Sequence, residues 1–330
     1  RNLGPRARLM KRRFRIVAGL LLGAAAAGAT AAYAIQRTMK DENTFPTEHE
    51  AVELNDGDLD EAIESEGFVA MSNPHFQVAG LTDPGKRRAN NQDAYKLGKV
   101  SLAGQDFMLA VVCDGMGGHA GGEVASQIAT DLIWSVVSKH QTDDPEALYH
   151  AMADALERAD SAIEQRASKE PDLQGMGTTA VLAAISRDSY IHCHLGDSRL
   201  YHFRDGQIIY QTKDHSVVRF LVEEGIITSA EAKEHPYRSQ LTSSLGGGPN
   251  ANRLTIEPKW DDVGTPHREW KSGDWLLLCR DGLNSELEDD EIGAVLEQSS
   301  SPEEASQTLR EKVLATEARD NITLVVARKR

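Results

Sequence analysis

Cysteine is scarce in this chain, with three in 330 residues. Cys113, Cys193 and Cys279 each lie inside an apolar run, and none has a CxxC partner. An odd, unclustered set excludes a disulfide framework and a thiolate zinc site, so small buried hydrophobes are the natural reading. Acidic residues are missing from the first forty positions, which hold nine Lys and Arg. The rest of the chain is the reverse, 27 basic against 51 acidic residues. So acidic a body repels phosphate backbones, which argues against nucleic acid as a partner. It suits a solvated surface, or a protein that gathers divalent cations. Regular β–α–β alternation is also absent, which disfavours a doubly wound nucleotide-binding fold.

The N-terminal segment is organised by charge. Residues 1–15 are basic, and Ile16 to Ile35 is an uncharged, Ala/Gly-rich run of twenty residues, about the length that crosses a bilayer. A single-pass membrane anchor is the expectation. A signal peptide ending at Ala32-Tyr33-Ala34 is its rival, and a basic, acid-free transit segment is a third reading. Charge flanking would export the remainder, whereas the three unpaired cysteines suit the inside; the side stays open. Residues 36–75 read as an acidic linker, disordered from Asp41 to about Gly67. Folding is expected to begin near Phe76, giving a domain over 76–330.

Within that domain strand-like runs occur at Gln77–Leu81, Asp106–Val112, Thr178–Ile185, Tyr190–Leu195, Arg199–Arg204 and Gln207–Gln211. Arg204-Asp205-Gly206-Gln207 signals a hairpin turn. Helical periodicity covers Glu123–Lys139, with Val124, Ile128, Leu132 and Val136 on one face, and a second helix covers about Pro145–Ser168. Shorter helices are expected at Ser216–Glu224, Ser229–Glu234, Asp289–Gln298 and Pro302–Thr316. Hairpin sheets with long inserted helices predict an α+β sandwich with helices outside.

Several of these strands deliver aspartate beside glycine or asparagine. Leu109–Cys113 runs into Asp114-Gly115-Met116-Gly117-Gly118-His119, and Trp275–Arg280 into Asp281-Gly282. Ile191–Leu195 leads to Gly196-Asp197-Ser198-Arg199, and Asp320-Asn321 opens Ile322–Val326. A carboxylate at the end of a buried strand is costly unless something offsets its desolvation. Several converging would form an oxygen-only cage for hard divalent cations. Any one Asp-Gly pair is most simply a turn; the ordered set points to a metalloenzyme.

With Arg88-Ala89-Asn90-Asn91-Gln92-Asp93, Gly177-Thr178-Thr179 and Asp214-His215-Ser216 added, the order and spacing resemble the PPM family. These are metal-dependent protein serine/threonine phosphatases, similar to protein phosphatase 2C, in the compact bacterial form. The resemblance spans about Gln77 to Arg328 and implies a four-layer αββα sandwich of two mainly antiparallel sheets flanked by helices. It also implies two Mg²⁺ or Mn²⁺ ions that activate water for attack on phosphoserine or phosphothreonine. On that pattern Asp114 bridges the ions, the Gly115 carbonyl serves the first, and Asp281 and Asp320 hold the second. Glycine at 115 would let the carbonyl turn to a cation without a Cβ clash. Asp93 would position water, and Arg88 would clamp the phosphoryl group with its planar fork. Asp197 would hold a third, weaker ion with Asp281, although a hairpin cap reads it equally well. The segment around Ser239 would be the mobile flap.

Four departures from the family pattern stand out. Gln92 replaces a glutamate of some relatives, and Met116 replaces the histidine that animal relatives use as general acid. Ser243 stands where bacterial relatives often carry a basic residue. Arg280 replaces a small residue, and strand alternation predicts that its side chain points to the opposite face from Asp281. His119 suits loop ordering. The partners implied are phosphorylated proteins and their cognate Ser/Thr kinase. Two rivals remain, a membrane-tethered pseudophosphatase that binds phosphoproteins and a small-molecule phosphatase using the same site. The first would show the loss of a bridging carboxylate, and Asp114, Asp281 and Asp320 are all present.

Overall fold

The computed structural model describes residues 68–117, 121–247, 254–260 and 266–330. The expected anchor Ile16–Ile35, most of the acidic linker and His119 lie outside them. Among the described residues no helix is long and apolar enough to cross a membrane.

Two sheets face each other. The first runs β1 (Phe68–Ser72), β2 (Phe76–Asp83), β13 (Ile322–Lys329), β12 (Trp275–Cys279), β8 (Arg199–Arg204), β9 (Gln207–Gln211). The second runs β10 (Leu245–Gly246), β5 (Gly177–Thr178), β4 (Gln105–Met116), β6 (Ala180–Ile185), β7 (Ser189–Leu195), β11 (His267–Glu269), with β3 (Asp93–Leu102) also paired to β4. The neighbours pair antiparallel throughout, as sheets built from hairpins do. Between them lies a buried apolar layer that includes Tyr95, Leu97, Val112, Val181, Tyr190, Leu276, Leu278 and Val325.

Helices cover the outer faces, completing the expected αββα sandwich. α1 (Gly121–Ser138) and α2 (Pro145–Lys169) lie on the second sheet. α6 (Asp289–Gln298) and α7 (Pro302–Ala315) lie on the first. Between these pairs in the chain come three short helices, α3 (Val217–Glu223), α4 (Ser229–Lys233) and α5 (Asp281–Asn284). α2 starts where Asp144 accepts a hydrogen bond from Ala147 N at 2.9 Å, with Pro145 in the first turn, where its missing N–H costs nothing. It buries Leu148, Met152, Ala155, Leu156, Ala159 and Ile163, a stripe at helical spacing.

Among the departures from expectation, three elements carry a physical reason. α1 buries Ala125, Ala129, Leu132, Ile133 and Val137, while Val124, Ile128 and Val136 are its half-buried margin. The alanines let the helix approach the sheet closely, so size alone picked a face one residue out of register. β1 lies inside the stretch 36–75, pairing Phe68–Ser72 with Leu81–Gln77. It buries only Val69 and Met71 in part, too little pattern to stand out. β3 was not expected as a strand because its lysines interrupt the apolar run; Lys96 is nonetheless buried, against Asp131 of α1.

Candidate metal centre

Both sheets send aspartates to one end of the sandwich. Asp93 and Asp114 are direct cross-strand partners at the joined ends of β3 and β4, so their side chains share a face. Asp281 and Asp320 come from the other sheet, at the first residue of α5 after β12 and just before β13.

Backbone bonds hold each carrier. Asp114 N donates to Thr179 Oγ1 at 3.1 Å, while Thr179 N and Thr178 Oγ1 donate to Asp114 O at 3.0 and 2.9 Å. The Gly177-Thr178-Thr179 motif is therefore the brace of Asp114. Asn321 ties the two sheets: its Oδ1 accepts from Gln92 N at 3.0 Å and its Nδ2 donates to Pro84 O and Asn90 O at 3.0 and 3.1 Å. Thr323 Oγ1 donates to Asp93 Oδ2 at 2.6 Å. Gly115 is required by close approach: a Cβ there would lie 2.0 Å from Gly122 O and 2.3 Å from Gln92 O. Those neighbours forbid a side chain whether or not its carbonyl serves a cation.

The centre of this end is Arg280, and here the structure corrects the sequence reading. Its side chain is 4 % exposed and points into the carboxylates. Nη2 pairs with Asp114 Oδ2 and lies 2.9 Å from Asp281 Oδ1. Nε donates to Asp114 Oδ2 at 3.1 Å. Nη1 donates to Asn321 O at 3.0 Å and lies 3.2 Å from Asp320 Oδ1. Alternation failed because the strand ends at Cys279. Arg280 is the N-cap of α5 and Asp281 is already helical, so neighbouring side chains no longer oppose each other. A charge at the end of five buried apolar residues was the signal available in the sequence.

One guanidinium does not neutralise four carboxylates. Burial pushes the Asp93 carboxyl up to about 6 against the pull of Arg280. Burial, with Asp93, Asp281 and Asp197 adding to it, holds Asp114 well above the usual carboxylate range despite Arg280. Burial and the nearby Asp281 and Asp214 push Asp197 up to about 7. At Asp320 burial is outweighed by Arg280 and Arg88, so its carboxyl falls below its ordinary value. Asp93 Oδ1 and Asp281 Oδ1 receive no well-aligned hydrogen bond among the described residues. Hard oxygen donors, excess negative charge and orphaned carboxylate atoms fit divalent cations. Among the described residues no three His, Cys, Asp or Glu stand together as a ready-made ion cage.

The other site residues fall around this cluster. Arg88 is half exposed and its Nη2 donates to Asp320 Oδ2 at 2.8 Å, which places a second guanidinium at the mouth. Asp214 is held by Arg199 through bonds of 2.6 and 2.7 Å. Residues 215–242 make an excursion carrying α3 and α4. Val217 N bonds Gln240 O and Thr242 N bonds His215 O, both at 2.8 Å, across its base. Ser239 sits on an exposed turn of that excursion, outside the aspartate cluster. Ser243 is buried, accepting from Thr255 N and donating to Thr255 O at 2.9 and 3.0 Å. It does not stand in for a surface cation.

Residues 85–317 match the protein phosphatase 2C family. This chain belongs to that family. It is 41 % identical over 257 residues to the serine/threonine protein phosphatase PstP of Mycobacterium tuberculosis, covering 76 % of this chain but 45 % of PstP. It is 35 % identical over 252 residues to protein phosphatase PhpP of Streptococcus pneumoniae, covering 76 % of this chain and 96 % of PhpP. The chain thus spans less than half of PstP's length and nearly all of PhpP's. Among solved structures, the catalytic domain of PstP in complex with two manganese ions superposes with a TM-score of 0.63 at 33 % identity, covering 77 % of this chain and 98 % of that one.

Proposed function

We propose that this chain is a metal-dependent protein phosphatase acting on phosphoserine and phosphothreonine. The observation that carries the reading is the convergence of Asp93, Asp114, Asp281 and Asp320, from both sheets, on one buried point. Family membership and the two manganese ions of the PstP catalytic domain support it.

Asp114, Asp281 and Asp320, with the Gly115 carbonyl, would hold two Mg²⁺ or Mn²⁺ ions, and Asp197 a third. Bound there, such ions lower the pKa of water and neutralise phosphoryl oxygens. The chain's own residues do the rest. Thr178 and Thr179 fix Asp114 through its backbone. Thr323 holds one oxygen of Asp93 and leaves Oδ1 to face the centre and accept a proton from water. Arg88, anchored on Asp320 at the mouth, can turn its remaining N–H groups to a phosphate ester. The excursion 215–242, closed at its base, is the segment that meets the protein around the phosphoresidue. Phosphorylated proteins are the partners, with the opposing Ser/Thr kinase implied, and residues 16–35 remain the proposed tether to a membrane.

The purified chain should dephosphorylate phosphoserine and phosphothreonine peptides when Mn²⁺ or Mg²⁺ is added, and lose that turnover on chelation. Full activity after exhaustive chelation would end the reading. Faster turnover of nucleotides or sugar phosphates than of phosphopeptides would assign the site to small molecules.

A further inference from the structure

Arg280 is unlike a surface arginine in three respects. It is buried, it faces four aspartates, and it also grips a backbone carbonyl, Asn321 O at 3.0 Å. Gly282 permits this grip, since a Cβ there would lie 1.9 Å from Asn321 O and 2.8 Å from Arg280 Nη1. The guanidinium is therefore seated in a built place. Its head lies between Asp114 and Asp281, two of the carboxylates that would hold the ions in the proposed function, on which this inference rests. Nη2 contacts both of them. An ion held jointly by Asp114 and Asp281 needs the space that Nη2 fills. Two cations that close together in a buried site repel strongly.

We propose that Arg280 is an internal competitor for the metal centre. In the metal-free chain it serves as the counter-cation that keeps four converging aspartates folded together. Divalent ions enter by displacing its head, which swings while its backbone stays fixed as the N-cap of α5. The mouth offers a way out, because Asp320 and Arg88 there reach solvent, with side chains 25 % and 52 % exposed. Apparent metal affinity is then the intrinsic affinity multiplied by the fraction of chains whose arginine has left. This makes occupancy, and with it turnover, respond to divalent-ion concentration over a higher range than the same carboxylates would show alone.

The test is Mn²⁺ binding measured by calorimetry and by loss of the free-Mn²⁺ paramagnetic signal, on the full chain and its Arg280→Ser and Arg280→Lys variants. Arg280→Ser should bind Mn²⁺ at least about tenfold more tightly and melt at a lower temperature without metal, while the loaded forms melt close together. Arg280→Lys, which keeps a charge but loses the fork, should fall between. If Arg280→Ser is folded only with Mn²⁺ present, the counter-cation role is supported, and Arg280→Lys then carries the affinity comparison. Affinity in both variants equal to or below that of the parent overturns the proposal. Absence of Mn²⁺ binding by parent and variants alike removes the metal centre itself, a result separable from the first.

Discussion

The two ends of strand β12 bury carboxylates in opposite ways. At its start, Asp274 is 1 % exposed and saturated with donors. Arg204 Nε and Nη2 reach it at 2.7 Å each, His202 Nε2 at 2.9 Å and Lys271 N at 2.6 Å. Burial acts to raise its pKa, but Arg204, Lys271 and His202 outweigh that, and the carboxyl falls below its ordinary value. At the other end, Asp93, Asp114, Asp281 and Asp320 share one buried arginine, with Arg88 reaching only Asp320 from the mouth, and Asp93 and Asp114 titrate above their ordinary range. One end is a finished piece of structure. The other is a charge imbalance held in place by a rigid frame, as functional sites tend to be.

That contrast can be broken from either end. Asp114→Asn should reduce phosphopeptide turnover by about three orders of magnitude or more, because water loses its activation when an ion is lost. The metal-free variant should melt no lower than the parent, since it sheds a charge that burial disfavours. Phosphopeptide kinetics and a thermal melt in chelator check both halves. A metal-free Asp114 variant melting several degrees lower would mean that this end, too, is structural.

Asp274→Asn should do the reverse, costing about 2–3 kcal/mol of stability while Mn²⁺ affinity stays unchanged. Breaking a buried pair leaves its partners unmet, and the partial exposure of Arg204 keeps the cost at the lower end. Chemical denaturation beside Mn²⁺ calorimetry gives the comparison.

The smallest effect expected is on pH. Asp93 at about 6 and Asp197 at about 7 lie above their ordinary value of 3.8. In the metal-free chain their contribution is most favourable below about pH 4 and is lost as pH rises toward 7. Ions reverse this, because they bind the ionised forms. The rise in melting temperature caused by Mn²⁺ should therefore be larger at pH 8 than at pH 5.5, with protons released on binding at pH 6. An equal rise at both pH values would show that neither carboxyl meets the ions.

Much of this was legible along the chain, for a physical reason that differs by element. The long helices α2, α6 and α7 were predicted within a residue at each end, because caps such as Asp144 and first-turn prolines such as Pro145 and Pro302 act locally. The strands β7, β8 and β9 were legible as apolar runs, and the β8–β9 hairpin from the turn at Asp205-Gly206, where both residues have positive φ. The sequence reading of all three as one meander is corrected, because the chain crosses from the second sheet to the first between β7 and β8. Asp114, Asp281 and Asp320 were legible as a set because each ends or opens a strand-like run, whereas Asp93 was legible only from its place in the family order. Their fit to a metal centre is proposed, since the chain alone names the carboxylates without showing what joins them.

What the sequence by itself determined is an α+β sandwich with helices outside and the identity of the acidic residues, since periodicity, caps and strand-end aspartates are written in neighbouring positions; the four-layer αββα order came with the family resemblance. What only the tertiary structure decided is where Arg280 goes. Its direction depends on β12 stopping at Cys279 and on Asn321, forty-one positions away, offering a carbonyl across the sheet. The burial of Lys96 against Asp131 and the brace of Thr178 and Thr179 on Asp114 are of the same kind. Each joins residues that share no local pattern, and the balance of charge at the site is set by such long-range contacts rather than by composition.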